Sequence, residues 1–159
     1  MNDSFTLEGK VIVVTGGTGV LGNAFVKSIA AAGAVVGILG RNEQVAIERA
    51  HHIISKGGKA IPLIADVTKE DELKKACAKM IAAAGHIDGL VNAAGGNMPG
   101  AVVQPGDDLF QLDLASLKQV MDLFLCMVPS SMLMVAFLCL VEYKNSFNYL
   151  TPIESPLIL

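Results

Sequence analysis

Up to about residue 122, the chain switches repeatedly between two hydrophobic periods. Lys10-Val11-Ile12-Val13-Val14-Thr15 is β-branched and apolar on both faces, which predicts a strand buried on both sides in a parallel sheet. A glycine-rich turn follows, and the spacing then predicts a helix from Asn23 to Ala32, ended by Gly33. Ala34-Val35-Val36-Gly37-Ile38-Leu39 is a second apolar strand. Asn42 is placed to cap a helix that runs to about Lys56 and stops at Gly57-Gly58. Lys59-Ala60-Ile61-Pro62-Leu63-Ile64 reads as a third strand, its proline pointing to a sheet edge. Thr68 offers a capping hydroxyl to a further helix, with acids early, Lys74, Lys75 and Lys79 later, and Gly85 at its end. Asp88-Gly89-Leu90-Val91-Asn92 is a fourth strand, and Asp113 is placed to cap a helix through Asp122. This β-α-β-α-β-α-β-α alternation predicts an α/β fold, a doubly wound, Rossmann-type parallel sheet of about four strands in the order 3-2-1-4.

Composition narrows the functional classes. The 159 residues are 52% hydrophobic and 17% charged, which excludes intrinsic disorder. A net charge of −3 leaves no basic surface for nucleic acid. Cys77, Cys126 and Cys139 are odd in number and widely spaced, with no His ligand pattern beside them. A disulfide framework or zinc site is not expected, and the three read as small buried hydrophobes in a reducing cytoplasm. The N-terminal residues lack a basic region followed by an apolar core, so no signal peptide is expected. The adjacent His51 and His52 point to different parts of a helix surface and do not chelate together.

Charge stops abruptly near residue 123, and only Glu142, Lys144 and Glu154 are charged beyond it. Leu123 to Val141 is a run of nineteen uncharged residues, broken only by Pro129-Ser130-Ser131. Its length suits a membrane span and its interruption argues against one. It also suits a helix buried between subunits, or accidental hydrophobicity. The expected organisation is therefore a dinucleotide-binding half over residues 1–123 and an apolar tail over residues 124–159.

The clearest chemical signal is Gly17-Thr18-Gly19-Val20-Leu21-Gly22, a G-x-G-x-x-G string that follows a strand and opens a helix. Glycines let the backbone turn sharply and approach a diphosphate, and the free N–H groups of the helix start bind the anion. An NAD site of this kind usually carries an acid at the end of the second strand for the ribose hydroxyls. Here Gly40-Arg41 stands instead. Arg41 suits the 2′-phosphate of NADP, although stacking on adenine or simple solvation are alternatives.

With these residues in place, the chain resembles the short-chain dehydrogenase/reductase family. Thr15-Gly16-Gly17-Thr18-Gly19-Val20-Leu21-Gly22 is similar to the family's T-G-x-x-x-G-x-G loop, except that Val20 occupies the middle glycine's slot and Gly19 sits one place earlier. Ala65-Asp66-Val67 is similar to the adenine-contacting segment after the third strand. Val91-Asn92-Ala93-Ala94-Gly95 is similar to the N-N-A-G motif, with Ala93 replacing its second Asn. The wider string to Asn97, together with Gly40-Arg41-Asn42, is most similar to the D-mannonate oxidoreductase (fructuronate reductase) branch. The resemblance implies hydride transfer between NADP or NAD and a small carbonyl or alcohol, in a cytoplasmic homo-oligomer. Its implied cofactor residues are Gly16, Thr18, Gly19, Leu21, Gly22, Arg41, Asp66, Val67, Asn92, Ala93 and Ala94. In the family, Asn92's counterpart steadies the sheet through backbone contacts.

The catalytic half of the pattern is missing. The family uses a Tyr hydroxyl as acid or base, a Lys four residues later that lowers its pKa, and a Ser about a dozen residues earlier. Tyr143 and Tyr149 are followed four residues on by Phe147 and Ile153. Ser130 imitates the Ser–Tyr spacing to Tyr143, but with no Lys the pair has no assisted base. An unassisted Tyr titrates near pH 10 and is a poor base at neutral pH. No catalytic residue is therefore assigned. The family also requires about a hundred further residues, so the expectation is a truncated or frame-altered member.

Overall fold

A computed structural model describes residues 6–96, 99–102 and 113–126 of the chain. Ser130, Tyr143, Tyr149, Asp107-Asp108 and nearly all of the apolar run lie outside the described residues. The four strands are β1 (Val11–Thr15), β2 (Val35–Gly40), β3 (Lys59–Ile64) and β4 (Gly89–Asn92). Between them run α1 (Val20–Ala31), α2 (Glu43–Ser55) and α3 (Glu70–Ala84), with a 3-10 turn at Pro99–Ala101 and α4 (Leu114–Cys126) beyond. All pairings are parallel and the order is β3-β2-β1-β4, as the alternation predicts. Pro62 sits in the edge strand β3, where a missing donor costs least.

The sheet buries both faces because its strands are apolar at successive positions. Val11 and Val13 of β1 join Leu39, Leu63, Leu73, Ala76 and Met80 on one side. Val14 joins Val26, Val36, Ile38, Ala46, Ala50 and Ile53 on the other. Alternate β1 side chains thus reach the α3 layer and the α1–α2 layer, and the parallel pairing sets the C-terminal strand ends along one rim. Asp88 fixes the opposite end. Its carboxylate accepts the Val11 N–H at 2.7 Å and pairs with Lys10 at 3.2 Å and His86 at 2.9 Å, joining β1 to the start of β4. Burial opposes its ionisation, but the Val11 N–H and the neighbouring Lys10 and His86 outweigh that and hold its pKa below the usual carboxylate range.

Several local expectations change. α1 begins at Val20 rather than Asn23, so Gly22 lies inside the helix. Thr68 does not cap α3: its hydroxyl donates to Asp66 at 2.8 Å, Lys69 takes the cap position, and Glu72 accepts the Asp66 N–H at 2.8 Å. α3 starts one residue beyond the place that a Thr68 cap requires, and the hydroxyl proton goes to the carboxylate two residues back. Asp113 does cap α4, accepting from Ala115 N, Ser116 N and Ser116 Oγ, and the helix continues past Asp122 to Cys126. Cys77 is half-buried and disulfide-bonded, which corrects its reading as a free buried thiol. Spacing along a sequence does not reveal which sulfurs the fold brings together.

Candidate functional site

The rim formed by the C-terminal strand ends carries one cleft of about 430 Å³. It is lined by Gly16, Thr18, Gly19, Leu21, Gly22, Arg41, Asp66, Val67, Ala93 and Ala94. Every nominated residue except Asn92 is therefore brought together. Asn92 ends β4, and its buried Oδ1 has no hydrogen-bond partner among the described residues. Sequence reasoning did not nominate Val20, Gly40, Ala65, Thr68, Gly95 and Gly96, which also line the cleft.

The loop between β1 and α1 is built by close approach. Gly16 has φ +65°, the left-handed region that glycine enters without strain, and a Cβ there would lie 2.5 Å from the Ala93 carbonyl oxygen. A Cβ on Gly22 would overlap the Gly16 carbonyl, so α1 can rest on the loop only because that position is glycine. Gly17 N–H donates to Leu39 O at 2.9 Å, and Gly19 N–H donates to Gly16 O at 2.8 Å. These contacts fix the loop between the ends of β2 and β4.

The start of α1 differs from the other helix starts. α2 is capped by the Asn42 side chain and has Glu43 in its first turn; α3 has Glu70, Asp71 and Glu72 there. α1 has no side-chain cap and no acid in its first turn. Its leading N–H groups and positive dipole end are left for an anion from outside the chain. The glycine cradle, the uncapped helix start and the lack of a local carboxylate fit a dinucleotide diphosphate. Val20 departs from the pattern, because its β-branched side chain stands 90% exposed at this opening.

Two further walls complete the cleft. Gly40 has no side chain, and Thr18 packs its hydroxyl and methyl into the space that a Cβ would fill. The ribose-binding acid is thus replaced by a threonine-lined gap with exposed Arg41 beside it. Asp66 accepts the Thr68 N–H at 2.9 Å and its hydroxyl at 2.8 Å on Oδ1. The Thr68 backbone bond, helped by the hydroxyl, Arg41 and Lys69, outweighs burial and holds the Asp66 carboxyl below its usual range. Asp66 Oδ2 has no partner among the described residues and remains an acceptor.

Two residues outside the nominated set control the geometry. Thr15 is 1% exposed, and its Oγ1 accepts the N–H groups of Ala93 and Ala94, each at 3.1 Å. A lone polar residue closing an apolar strand was the available signal. Arg49 donates from Nη1 to Gly17 O at 2.5 Å and Gly19 O at 2.8 Å. Its signal was a cation among Ala46, Ala50 and Ile53, on the face of α2 turned toward the sheet.

A parallel sheet with a glycine-rich first turn and a cleft at its strand ends defines a nucleotide-binding α/β protein of the Rossmann type. Residues 10–136 match the family model described as short chain dehydrogenase, and the chain belongs to that family. It is 40% identical over 103 residues to a short chain dehydrogenase of Pseudocercospora fijiensis, covering 65% of this chain and 33% of that protein. It is 36% identical over 122 residues to 2-dehydro-3-deoxy-D-gluconate 5-dehydrogenase of Formosa agariphila, covering 76% and 44%. Among solved structures, a candidate D-mannonate oxidoreductase from Haemophilus influenza with bound NAD aligns with TM-score 0.74 at 26% identity, covering 87% of this chain and 51% of that one. A short chain dehydrogenase from Burkholderia cenocepacia in complex with NADP aligns with TM-score 0.65 at 28% identity, covering 86% and 51%. The chain thus spans between a third and about half the length of these relatives. Among the described residues, no helix is long and apolar enough to cross a membrane.

Proposed function

We propose that this chain binds NADP or NAD and forms the cofactor half of an oxidoreductase acting on a small carbonyl or alcohol. The carrying observation is the uncapped, acid-free start of α1, which opens on a cleft floored by Gly16 and Gly22. In this reading the first-turn N–H groups hold the diphosphate. Asp66, with Val67 beside it, accepts from adenine, and Ala93 and Ala94 form the wall beyond the loop. Asn92 supports that wall from the end of β4. Arg41 and the Thr18 hydroxyl receive the 2′-phosphate, which favours NADP, because a guanidinium pairs with phosphate through two parallel bonds. When bound, the nicotinamide supplies or accepts a hydride.

The substrate we propose is a sugar acid such as D-mannonate or fructuronate. Its support is the string from Asn92 to Asn97 together with the sugar-acid dehydrogenase and D-mannonate oxidoreductase among the similar proteins. A cytoplasmic homo-oligomer is the setting this reading carries. A second reading, a non-catalytic dinucleotide-binding or dimerising module, is favoured by one specific observation. No Tyr-x-x-x-Lys occurs in the sequence.

Titration of NADPH tests the first reading directly. The chain has no tryptophan, so nicotinamide emission can be followed without energy transfer from indole. Binding gives an enhanced, blue-shifted emission, and Arg41→Asp lowers the affinity for NADPH more than for NADH. A folded protein that leaves the emission of both cofactors unchanged refutes cofactor binding. Turnover of fructuronate or mannonate separates the enzyme from the silent module.

A further inference from the structure

The loop that meets the diphosphate has a back as well as a front. Thr18, Gly19 and Val20 line the cofactor cleft. Behind the loop, Asn23, Lys27, Val45, Glu48, Arg49 and His52 line a separate hollow between α1 and α2. Arg49 reaches from that hollow and donates from one nitrogen, Nη1, to Gly17 O at 2.5 Å and Gly19 O at 2.8 Å. It forms no ion pair with any described carboxylate, so its half-buried charge is compensated by these carbonyls. Gly17 O has no other described partner, whereas Gly19 O also accepts the Asn23 N–H at 3.1 Å.

Peptide geometry converts this clamp into an effect on the front. The described backbone has no cis peptide. In a trans peptide the carbonyl and the following N–H point in opposite directions. Holding Gly17 O and Gly19 O toward α2 therefore turns the N–H groups of Thr18 and Val20 away from it, toward the cofactor cleft. We propose that Arg49 is a positioning residue: its guanidinium sets the loop's peptide planes so that the Thr18 and Val20 amides converge on a diphosphate. This inference rests on the dinucleotide reading of the cleft. Lysine is not equivalent, because an ammonium on a flexible stem lacks the guanidinium's planar, pre-set donors.

The test compares ADP with adenosine as probes on the intact chain, using the wild type, Arg49→Met and Arg49→Lys. Adenosine lacks phosphate and reports on the adenine wall alone. Arg49→Met is expected to weaken ADP about tenfold, a loss of one decade in Kd, and to leave adenosine unchanged. Arg49→Lys falls between Arg49→Met and the wild type. Equal weakening of ADP and adenosine, or no weakening of ADP, overturns the proposal. If Arg49→Met does not fold, Arg49→Lys decides through its amide resonances. Selective movement of Thr18 and Val20 with α3 unchanged supports positioning; unchanged Thr18 and Val20 overturn it. A wild type that binds neither NADPH nor ADP removes the dinucleotide reading itself, whereas a binding wild type with an indifferent Arg49→Met removes only the role of Arg49.

Discussion

Replacing Thr15 by Val separates the hydroxyl from the shape of the residue. The side chain is 1% exposed, and its Oγ1 accepts two backbone N–H groups, those of Ala93 and Ala94, at 3.1 Å each. Its own proton faces Val91 O at a long 3.5 Å, so the acceptor role dominates. Valine fills the same volume with a methyl in place of the hydroxyl. Two amides then lose their partner, and each unsatisfied buried donor costs about 1–3 kcal/mol. Ala93 and Ala94 are only half-buried, which places each loss at the lower end of that range. The additional buried methyl returns about 0.8 kcal/mol. The expected net loss is about 1–3 kcal/mol, read as a urea midpoint lowered by roughly 1 M. Thr15→Ser retains the acceptor and should lose only about 1 kcal/mol, from its missing methyl. Amide exchange at Ala93 and Ala94 should accelerate in the Val variant and not in the Ser variant. A Val variant within about 0.5 kcal/mol of wild type, the ordinary scatter for neutral sites, would show that the hydroxyl does not hold the β4 exit.

Other substitutions probe the same rim. Gly22→Ala puts a methyl into the Gly16 carbonyl, so α1 must shift off the loop; a stability loss of about 1–3 kcal/mol and a larger proportional loss of NADPH affinity are expected by melting and titration. Val20→Gly removes the exposed branch at the mouth of α1 and should tighten NADPH binding while costing about 0.5 kcal/mol in helix propensity; weaker binding would show that Val20 does not obstruct the diphosphate. Asp88→Asn keeps the shape of the clip between β1 and β4 but removes its charge, for an expected loss of about 1 kcal/mol at pH 7, the carboxylate being partly exposed. Since the folded pKa of Asp88 is depressed, its stabilisation is full above the unfolded value near 4 and is lost as pH falls through the folded value. Urea midpoints of the Asn variant should therefore converge on wild type as pH falls through the folded value, and a gap that persists in acid would place the effect elsewhere than in the charge.

The strands were legible because each is a short apolar run bounded by turn residues, and a sheet covered on both faces requires that pattern. The helix ends at Gly33, Gly57 and Gly85 were legible for a similarly local reason: each takes a positive φ. The start of α1 was not. Gly22 looked like the last residue of a turn, yet it is helical, and its reason for being glycine is a contact with Gly16 that no helix propensity encodes. Thr68 was misplaced because α3 starts one residue later than a Thr68 cap requires, and its hydroxyl donates to Asp66 instead. For Cys77 the deciding fact was a disulfide bond that spacing does not encode.

The same distinction explains why a glycine string alone is weak evidence of a site. Glycines permit the loop's conformation but do not select it, since glycine visits many backbone states with little preference. Selection comes from residues that the loop motif does not contain. Leu39 O takes the Gly17 N–H from β2, and Arg49 takes the Gly17 and Gly19 carbonyls from α2. Thr15 fixes the β4 exit, whose Ala93 carbonyl closes against Gly16. Three separate elements thus restrain a segment that would otherwise lose the most entropy on ordering. A loop already held in this way meets its anion with the amides in place, so little of the binding energy is consumed in ordering it. It follows that loosening the restraints should weaken ligands in proportion to their phosphates, whichever restraint is cut. Thr15→Val and Arg49→Met, far apart in sequence, should therefore share one signature, a loss confined to phosphate-bearing ligands.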